Sequence, residues 1–564
     1  MKERKYALFG IITTIILIIG TTLAYFKFQV FGNKKVINVE STNLQIIFNN
    51  GDSTFEGNAL EPGNYDEIKT FSVKNETDTE FKYNIIIKDL INTFVTKGYL
   101  VYKITNTSNN GGYSMSDFED IPKSSIALDI GLAYNITIPS GVTQDYTIEI
   151  KYLNDPSYDQ SDDMEKEVSG SIYIAKGTEP TFITKILEQN KTISERTNFK
   201  VTNTDKTTGT IYKTNKTEDS SDVYYYSGNT IDNWVKFGKY TTTKEVFLGY
   251  ANDKKGSAKE YSSYDDCINA TSYYHYCEKK IIWKSGDDMY WRIIRTNEDG
   301  SVRLLYSGTS PDTTEGYIGT STFNNSTKDP LYVGYMYGTS GSLENNRTNE
   351  NDSSIKQFID TWYQNNLLNN YDKYISKDAI YCHDRSINDN KYSLTENFTF
   401  ATYTRLAENF MPNYKCGTDE NGNLFESTQA VADKFSASTT GGGNGQLKYP
   451  VVLMTADEVS FAGGAFKKTA VGAWHYSNKE PGVLNSITDT LFWWLFSPSE
   501  YGSKVPNVFS SDGSISKGYL NRLNALNSYV AVRPVISVSS CARVKSGNGT
   551  ADNPYVVDEE ASTC

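Results

Sequence analysis

"LFWWLFSPSEYG", residues 491–502, sets Phe492, Trp493, Trp494 and Phe496 almost side by side and meets Pro498 two positions later. Nine helical residues would reach only ~14 Å, too short for the ~30 Å of hydrocarbon in a bilayer. Read instead as a strand, the run sends Phe492 and Trp494 to one face and Trp493 and Leu495 to the other. Both faces are then apolar, a pattern that suits a central strand covered on each side. The reading places Trp493 and Trp494 in a core, ended by Pro498, rather than displaying them for stacking on sugar rings. Burying each is worth roughly 2–3 kcal/mol.

Outward from this strand the signals are mixed. "MYWRIIRTNEDGSVRLLYSG", residues 289–308, is a strand, a polar Gly-containing turn and a second strand, hence a hairpin holding Trp291. "SSIKQFIDTWYQNNLL" spaces Ile355, Phe358, Ile359 and Trp362 at helical intervals and predicts a helix over 353–368, capped by Ser353 or Ser354. "YPVVLMTADEVSFAGG" joins a buried strand to a short helix capped by Thr455, and "AVRPVISV" closes with another strand. Arg533, alone on that apolar strand, is expected to be buried and paired with Asp457 or Glu458. Residues 223–564 thus read as one α+β domain.

Upstream, the period changes to two. "NLQIIFN", "IKTFSVKN", "EFKYNIIIKDL", "YLVYKIT", "AYNITIP", "DYTIEIKYL" and "GSIYIAK" are short alternating runs separated by turn residues. They predict an all-β sandwich, jelly-roll or Ig-like, over residues 36–176. Between the domains, residues 177–222 are rich in Thr, Lys and Asn and read as a polar linker or stalk.

The chain opens with Lys2, Arg4 and Lys5, then runs apolar from Tyr6 to Phe26. That predicts a cytoplasmic stub at 1–5 and a transmembrane anchor or signal segment at 6–26, with cleavage after Ala24 as the alternative to retention. Basic flanking residues stay inside, which puts the rest outside the cell, or secretes it if the leader is cut. Cysteine usage fits an oxidising exterior. The six Cys fall into local pairs, Cys267 with Cys277, Cys382 with Cys416 and Cys541 with Cys564, and disulfides between neighbours are the expectation.

A net charge of −13 and no basic block beyond the first residues argue against nucleic acid as a partner. Only three His occur, at 275, 383 and 475, which leaves few players for general-base or imidazole-metal chemistry. "CHDR" at 382–385 places Cys382 and His383 on opposite sides of an extended chain, so a thiolate pair between them is not expected there, and a disulfide on a surface loop is. Ser353 and Ser514 each begin Ser-x-x-Lys without companion motifs. No cofactor is expected; the acidic run Asp155–Glu167 has the hard oxygen ligands that calcium would need.

Two resemblances extend this reading. The leader with "LQIIFN", "LEPGNYDEIKTFSVKN" and "GSIYIAK" makes residues 1–176 resemble the TasA/camelysin-like secreted bacterial surface proteins, which implies a sandwich fold and, for some members, fibre assembly. The ordered set "YWRII", "FIDTWY", "YCHDRS", "YTRL", "FWWLFSPS", "SDGSI", "VRPVISV" and "GNGTADNPYVV" makes residues 281–555 resemble an uncharacterised Gram-positive surface-protein domain. That domain is distantly similar to the formylglycine-generating, sulfatase-modifying enzymes and their C-type-lectin-like fold. Those enzymes bind copper through a cysteine pair; here no Cys stands beside "VRPVI", and "FWWLFSPS" replaces their "RGGSW", so the oxidase activity is not carried over.

The sequence therefore points to a non-catalytic bacterial cell-surface protein that presents a lectin-like domain to glycan or to another surface protein. Contact residues expected from loop position are Tyr335, Tyr337, Trp474, His475, Tyr476 and Tyr501, with Trp291, Trp362, Trp493, Trp494 and Arg533 in the core and no metal ligands. The alternatives are an extracellular enzyme of the formylglycine-generating or cell-wall-hydrolase type, and a structural extracellular-matrix subunit.

Overall fold

Two compact units, Met1–Pro180 and Thr181–Cys564, make up the chain. This computed structural model describes residues 28–559, with breaks at 32–33, 40–43, 49–52, 59, 95, 97, 122–123, 178–179, 191–192, 204–210, 251–257, 271–275, 327–328, 388–391, 420, 427–430, 439–443, 469–472, 478–486, 489–490, 504, 512–518 and 529. Strand accounts for 42% and helix for 13%, so the molecule is β-rich in both halves. The segments 1–5 and 6–26, the residue His275 and Cys564 lie outside the described residues. Among the described residues no helix is long and apolar enough to cross a membrane.

In the first unit, seven strands run in the order Phe28–Phe31, Lys34–Val39, Leu44–Phe48, Tyr65–Asn75, Thr143–Tyr152, Leu100–Asn106, Glu119–Asp120. A second sheet orders Thr54–Asn58, Glu167–Lys176, Phe81–Asn92, Ser124–Ile138. Strict alternation along Thr143–Tyr152 turns Tyr146, Ile148, Ile150 and Tyr152 inward. They share one buried cluster with Tyr83, Ile85, Ile87, Ile172 and Ile174 of the other sheet. A one-residue slip would turn that whole set to water, and the period-two pattern thereby fixes register. Tyr83 Oη donates to Gln144 Oε1 at 2.6 Å, so the polar groups inside this core are bonded to each other.

The second unit begins where the sequence suggested a stalk. Thr181 caps the helix Phe182–Gln189, whose Phe182 and Ile186 are buried. The strands Ile193–Glu195, Ile211–Thr214 and Val223–Tyr226 form one margin of a ten-stranded sheet. The polar composition of 181–222 misled because each strand is only three or four residues long. Ile211, Val223 and Tyr225 are the interior anchors, and pairing with neighbours supplies what local propensity lacks. The domain boundary therefore falls at 180/181 and not at 222/223.

That sheet continues through Asp288–Thr296, Trp234–Lys239, Tyr555–Val557 and Val544–Ser546, and branches through Val302–Tyr306, Pro534–Val538 and Val452–Leu453. The hairpin 288–306 is antiparallel, with Gly300 at φ +76° in its turn. The helix Ser354–Asn366 has Ser353 as its cap, the hydroxyl accepting from the Lys356 N–H, and it buries Ile355, Ile359 and Trp362. Trp291 packs edge to face on Trp362.

A six-stranded sheet carries the aromatic run as Trp493–Gly502, between Val530–Ala531 and Val505–Ser511. Trp493, Trp494, Leu495 and Phe496 are all buried. Trp493 faces Arg533 and His475, Trp494 faces Phe323, and Phe496 faces Tyr335 and His383. Pro498 does not end this strand as expected. Its ladder register shifts on either side of Pro498, the irregularity at which a residue with no N–H is tolerated inside a sheet.

Cys267–Cys277 and Cys382–Cys416 are disulfides, and Cys541 is also disulfide-bonded. The "CHDR" stretch is not a surface loop: it forms the strand Tyr381–Asp384, and His383, Asp384 and Arg385 are buried.

Thr455 caps the helix Ala456–Phe461 in a reciprocal box with Glu458, each side chain accepting from the other's backbone N–H. Thr455→Ala is expected to cost about 1 kcal/mol. Urea unfolding followed by tryptophan fluorescence measures it, because all seven Trp lie in the second unit and report on it alone.

Candidate functional site

Charged residues on otherwise apolar elements are the starting point, because burying an ion without a partner is costly. Arg295 and Arg303 lie on the two arms of the 288–306 hairpin, Asp384 ends the strand Tyr381–Asp384, and Asp457 and Glu458 occupy the first turn of Ala456–Phe461. Arg405 sits on a π-helical turn, Thr404–Glu408, a local geometry found disproportionately at functional sites. All six are buried, and all line one cavity of about 280 Å³.

Their pairing is orderly. Arg303 Nη1 donates to Glu458 Oε1 at 2.6 Å, and Arg295 Nε reaches the same oxygen at 3.4 Å. Arg405 grips Asp457 with two bonds, Nε to Oδ1 at 2.9 Å and Nη2 to Oδ2 at 2.8 Å, and extends Nη1 to Asp384 Oδ2 at 3.4 Å. Fork-to-carboxylate geometry of this kind is the strong form of an ion pair. Burial pushes the Glu458 carboxyl up, but the Arg303 and Arg295 guanidiniums outweigh it and hold the group below the ordinary range. For Asp384 burial wins over Arg405 and the bonds from Ser386, and the carboxyl sits above its ordinary range. Asp384 is thus less firmly ionised than Glu458.

Three residues of this lining each have a buried polar atom with no protein partner: Arg303 at Nε, Tyr414 at Oη and Asn297 at Oδ1. The Tyr414 ring packs against the Arg295 guanidinium, 4.2 Å from the centroid, and against Phe461 at 4.3 Å. Burial keeps the Tyr414 hydroxyl protonated, far above the usual phenol range. The disulfide Cys382–Cys416 borders the same space, and the Cys416 N–H donates to Glu218 Oε1 at 2.7 Å. Glu218 and Asp219 come from the stretch expected to be a stalk, which therefore supplies part of the rim.

The aromatic residues expected to contact ligand are elsewhere. Tyr335 is fully buried and donates to Val451 O, Trp474 donates to Tyr226 O, and His475 and Tyr476 are interior. Tyr337 is half-buried against Tyr332. Tyr501 is buried with its hydroxyl on Leu394 O, although it borders an open groove of about 670 Å³ with Asn397, Glu500 and Asn507. None of the six lines the 280 Å³ cavity.

Arg533 does not pair with Asp457 or Glu458, which are held by Arg405 and by Arg295 with Arg303. It donates to Tyr306 O, His475 O and Ser307 Oγ and lies 4.7 Å from the Trp493 ring centroid. Burial and the neighbouring Arg292 bring its guanidinium down to about 9. Carbonyl dipoles and a tryptophan face replace the expected carboxylate.

The signal that would have located the cavity was the set of charges inside or beside apolar runs, "WRIIR", "VRLL" and "CHDR", which must find polar partners once buried. Among the described residues no group of three or more His, Cys, Asp or Glu is disposed to hold a metal ion. No protein-family model, curated protein or solved structure matches the chain.

Proposed function

We propose that the chain is a bacterial cell-surface protein, held or exported by its N-terminal apolar segment, whose second unit binds a hydroxylated ligand, a glycan, in the 280 Å³ cavity. Within this reading the first unit is a jelly-roll-like spacer and the second a lectin-like fold. The observation that carries it is that three residues lining this cavity, Arg303, Tyr414 and Asn297, each keep a buried polar atom, Nε, Oη and Oδ1, without a partner in the fold. A donor, a donor–acceptor and an acceptor among the residues of one lining are groups that hydroxyls, which both give and take hydrogen bonds, can satisfy. The disulfides support an oxidising exterior.

Binding is favoured over hydrolysis by how the carboxylates are used. Both oxygens of Asp457 and of Glu458 are engaged, by Arg405, by Arg303 with Arg295, and by the Asn413 and Thr455 N–H groups. A copper site of the formylglycine-generating kind needs a thiol pair, and the described cysteines are in disulfides.

Tyr414→Phe tests the reading, since it removes an unpartnered hydroxyl and leaves the ring against Arg295 and Phe461. Glycan-array hits are expected to weaken by about three- to tenfold, the worth of one hydrogen bond, with no loss of stability. Unchanged affinity for every hit would remove the cavity as the binding site.

A further inference from the structure

The cavity is not uniform from wall to mouth. Its inner wall is balanced, with Arg295, Arg303 and Arg405 against Asp384, Asp457 and Glu458. Its mouth carries Asp219, Glu298, Asp299 and Asp378, all exposed, and half-buried Glu218, against a single lining cation, Lys415. Glu218 is neutralised by Lys434 at 2.7 Å and Glu298 lies 3.4 Å from Arg295, but the outer carboxylates still exceed the cations beside them. A ligand seated against Arg303, Tyr414 and Asn297, each with a buried polar atom unpartnered, would have its outer end in this negative field.

Resting on the glycan reading above, we propose that the recognised unit is a sugar bearing a free, protonated amine, with its hydroxyls inward and its ammonium at the acidic rim. Neutral hexoses satisfy the inner wall and gain nothing at the mouth. N-acetylated sugars lose the charge and add bulk there. Anionic sugars are repelled. The acidic rim by itself would be an ordinary solvated surface; the unpartnered inner atoms make it the entrance to a site.

Calorimetric titration of the full-length chain with D-glucosamine, D-glucose, N-acetyl-D-glucosamine and lysine methyl ester tests the assignment. Glucosamine is expected to bind at least about tenfold more tightly than glucose at low salt, and the advantage should shrink at high ionic strength. Asp219→Asn with Asp378→Asn should weaken glucosamine about fivefold and leave glucose unchanged, as expected for two exposed charge contacts. Equal affinity for glucose and glucosamine would overturn the amine assignment while leaving the cavity as a sugar site. Lysine methyl ester competing as well as glucosamine would overturn the sugar half. If no sugar binds the wild-type chain, the site itself falls.

Discussion

Acidification from pH 6.5 toward 4 is expected to unfold the second unit, and two buried histidines account for most of the loss. His383 and His475 are fully buried, and burial brings both imidazoles down to about 3, with Arg385 adding to the effect at His383 and Arg533 with Arg292 at His475. The fold therefore holds both rings neutral. In the unfolded chain they take up protons near 6.5, so between about 6.5 and 3 the unfolded state binds more protons than the folded one. Stability is complete above 6.5 and falls as pH drops through that window, by about 1.4 kcal/mol per pH unit for each histidine. Two histidines give a slope near 3 kcal/mol per pH unit, and two units of acidification would consume a large part of the roughly 5–15 kcal/mol that holds a domain together. Carboxyls raised in the fold, such as Asp384 and Asp360, work in the opposite direction and moderate the slope. His475→Leu separates the contributions. Neither ring nitrogen of His475 has a hydrogen-bond partner, so the substitution removes titration with little loss of bonding. The slope measured by urea unfolding at successive pH values should fall by about half. An unaltered slope would mean that His475 is solvated and titrates normally in the fold.

Periodic segments were legible because their local signals and their tertiary roles agree. The 288–306 hairpin, the helix over 354–366 with its Ser353 cap and the Thr455-capped helix all follow from patterns within a dozen or so residues. What was hidden depended on distant partners. The strands 193–195 and 211–214 are too short and polar to announce themselves, and only the neighbouring strand Val223–Tyr226 and its sheet make them strands. The cavity was hidden for the same reason. Arg295, Asp384, Arg405 and Glu458 meet across more than 150 positions of chain, and an apolar run around a charge signals burial without saying which partner it meets. The aromatic residues drew attention because they are large, and that is also why the core claims them: Trp474 and Tyr335 each cover more apolar area inside than a loop could use outside. The Arg533 pairing erred on chemistry rather than placement, since a guanidinium can be satisfied by carbonyls and a tryptophan face as well as by a carboxylate.

Arg405→Met is expected to destabilise the second unit by about 3–5 kcal/mol, the cost of leaving buried carboxylates without their counterion. Asp457 would retain only the Asn413 N–H at 3.0 Å among its hydrogen bonds, and Asp384 only those from Ser386, its N–H at 3.1 Å and its side chain. Neither is more than slightly exposed, so water cannot take over the role of the guanidinium without opening the cavity wall. The penalty lies in the orphaned charges, not in the lost packing of a side chain that Met largely replaces. Combining Arg405→Met with Asp457→Asn should therefore recover a large part of the stability, because the neutral amide still accepts from Asn413 and carries no charge to compensate. The recovery read from denaturant midpoints is the discriminating quantity. A double variant as unstable as Arg405→Met alone would show that Arg405 acts as a spacer holding the π-helical turn in place, and that the ion pair with Asp457 contributes little. Recovery in the double variant, together with weakened glycan binding in both, would tie the same guanidinium to the shape of the cavity: it fixes Asp457 and Asp384 at the wall against which the ligand's hydroxyls must align.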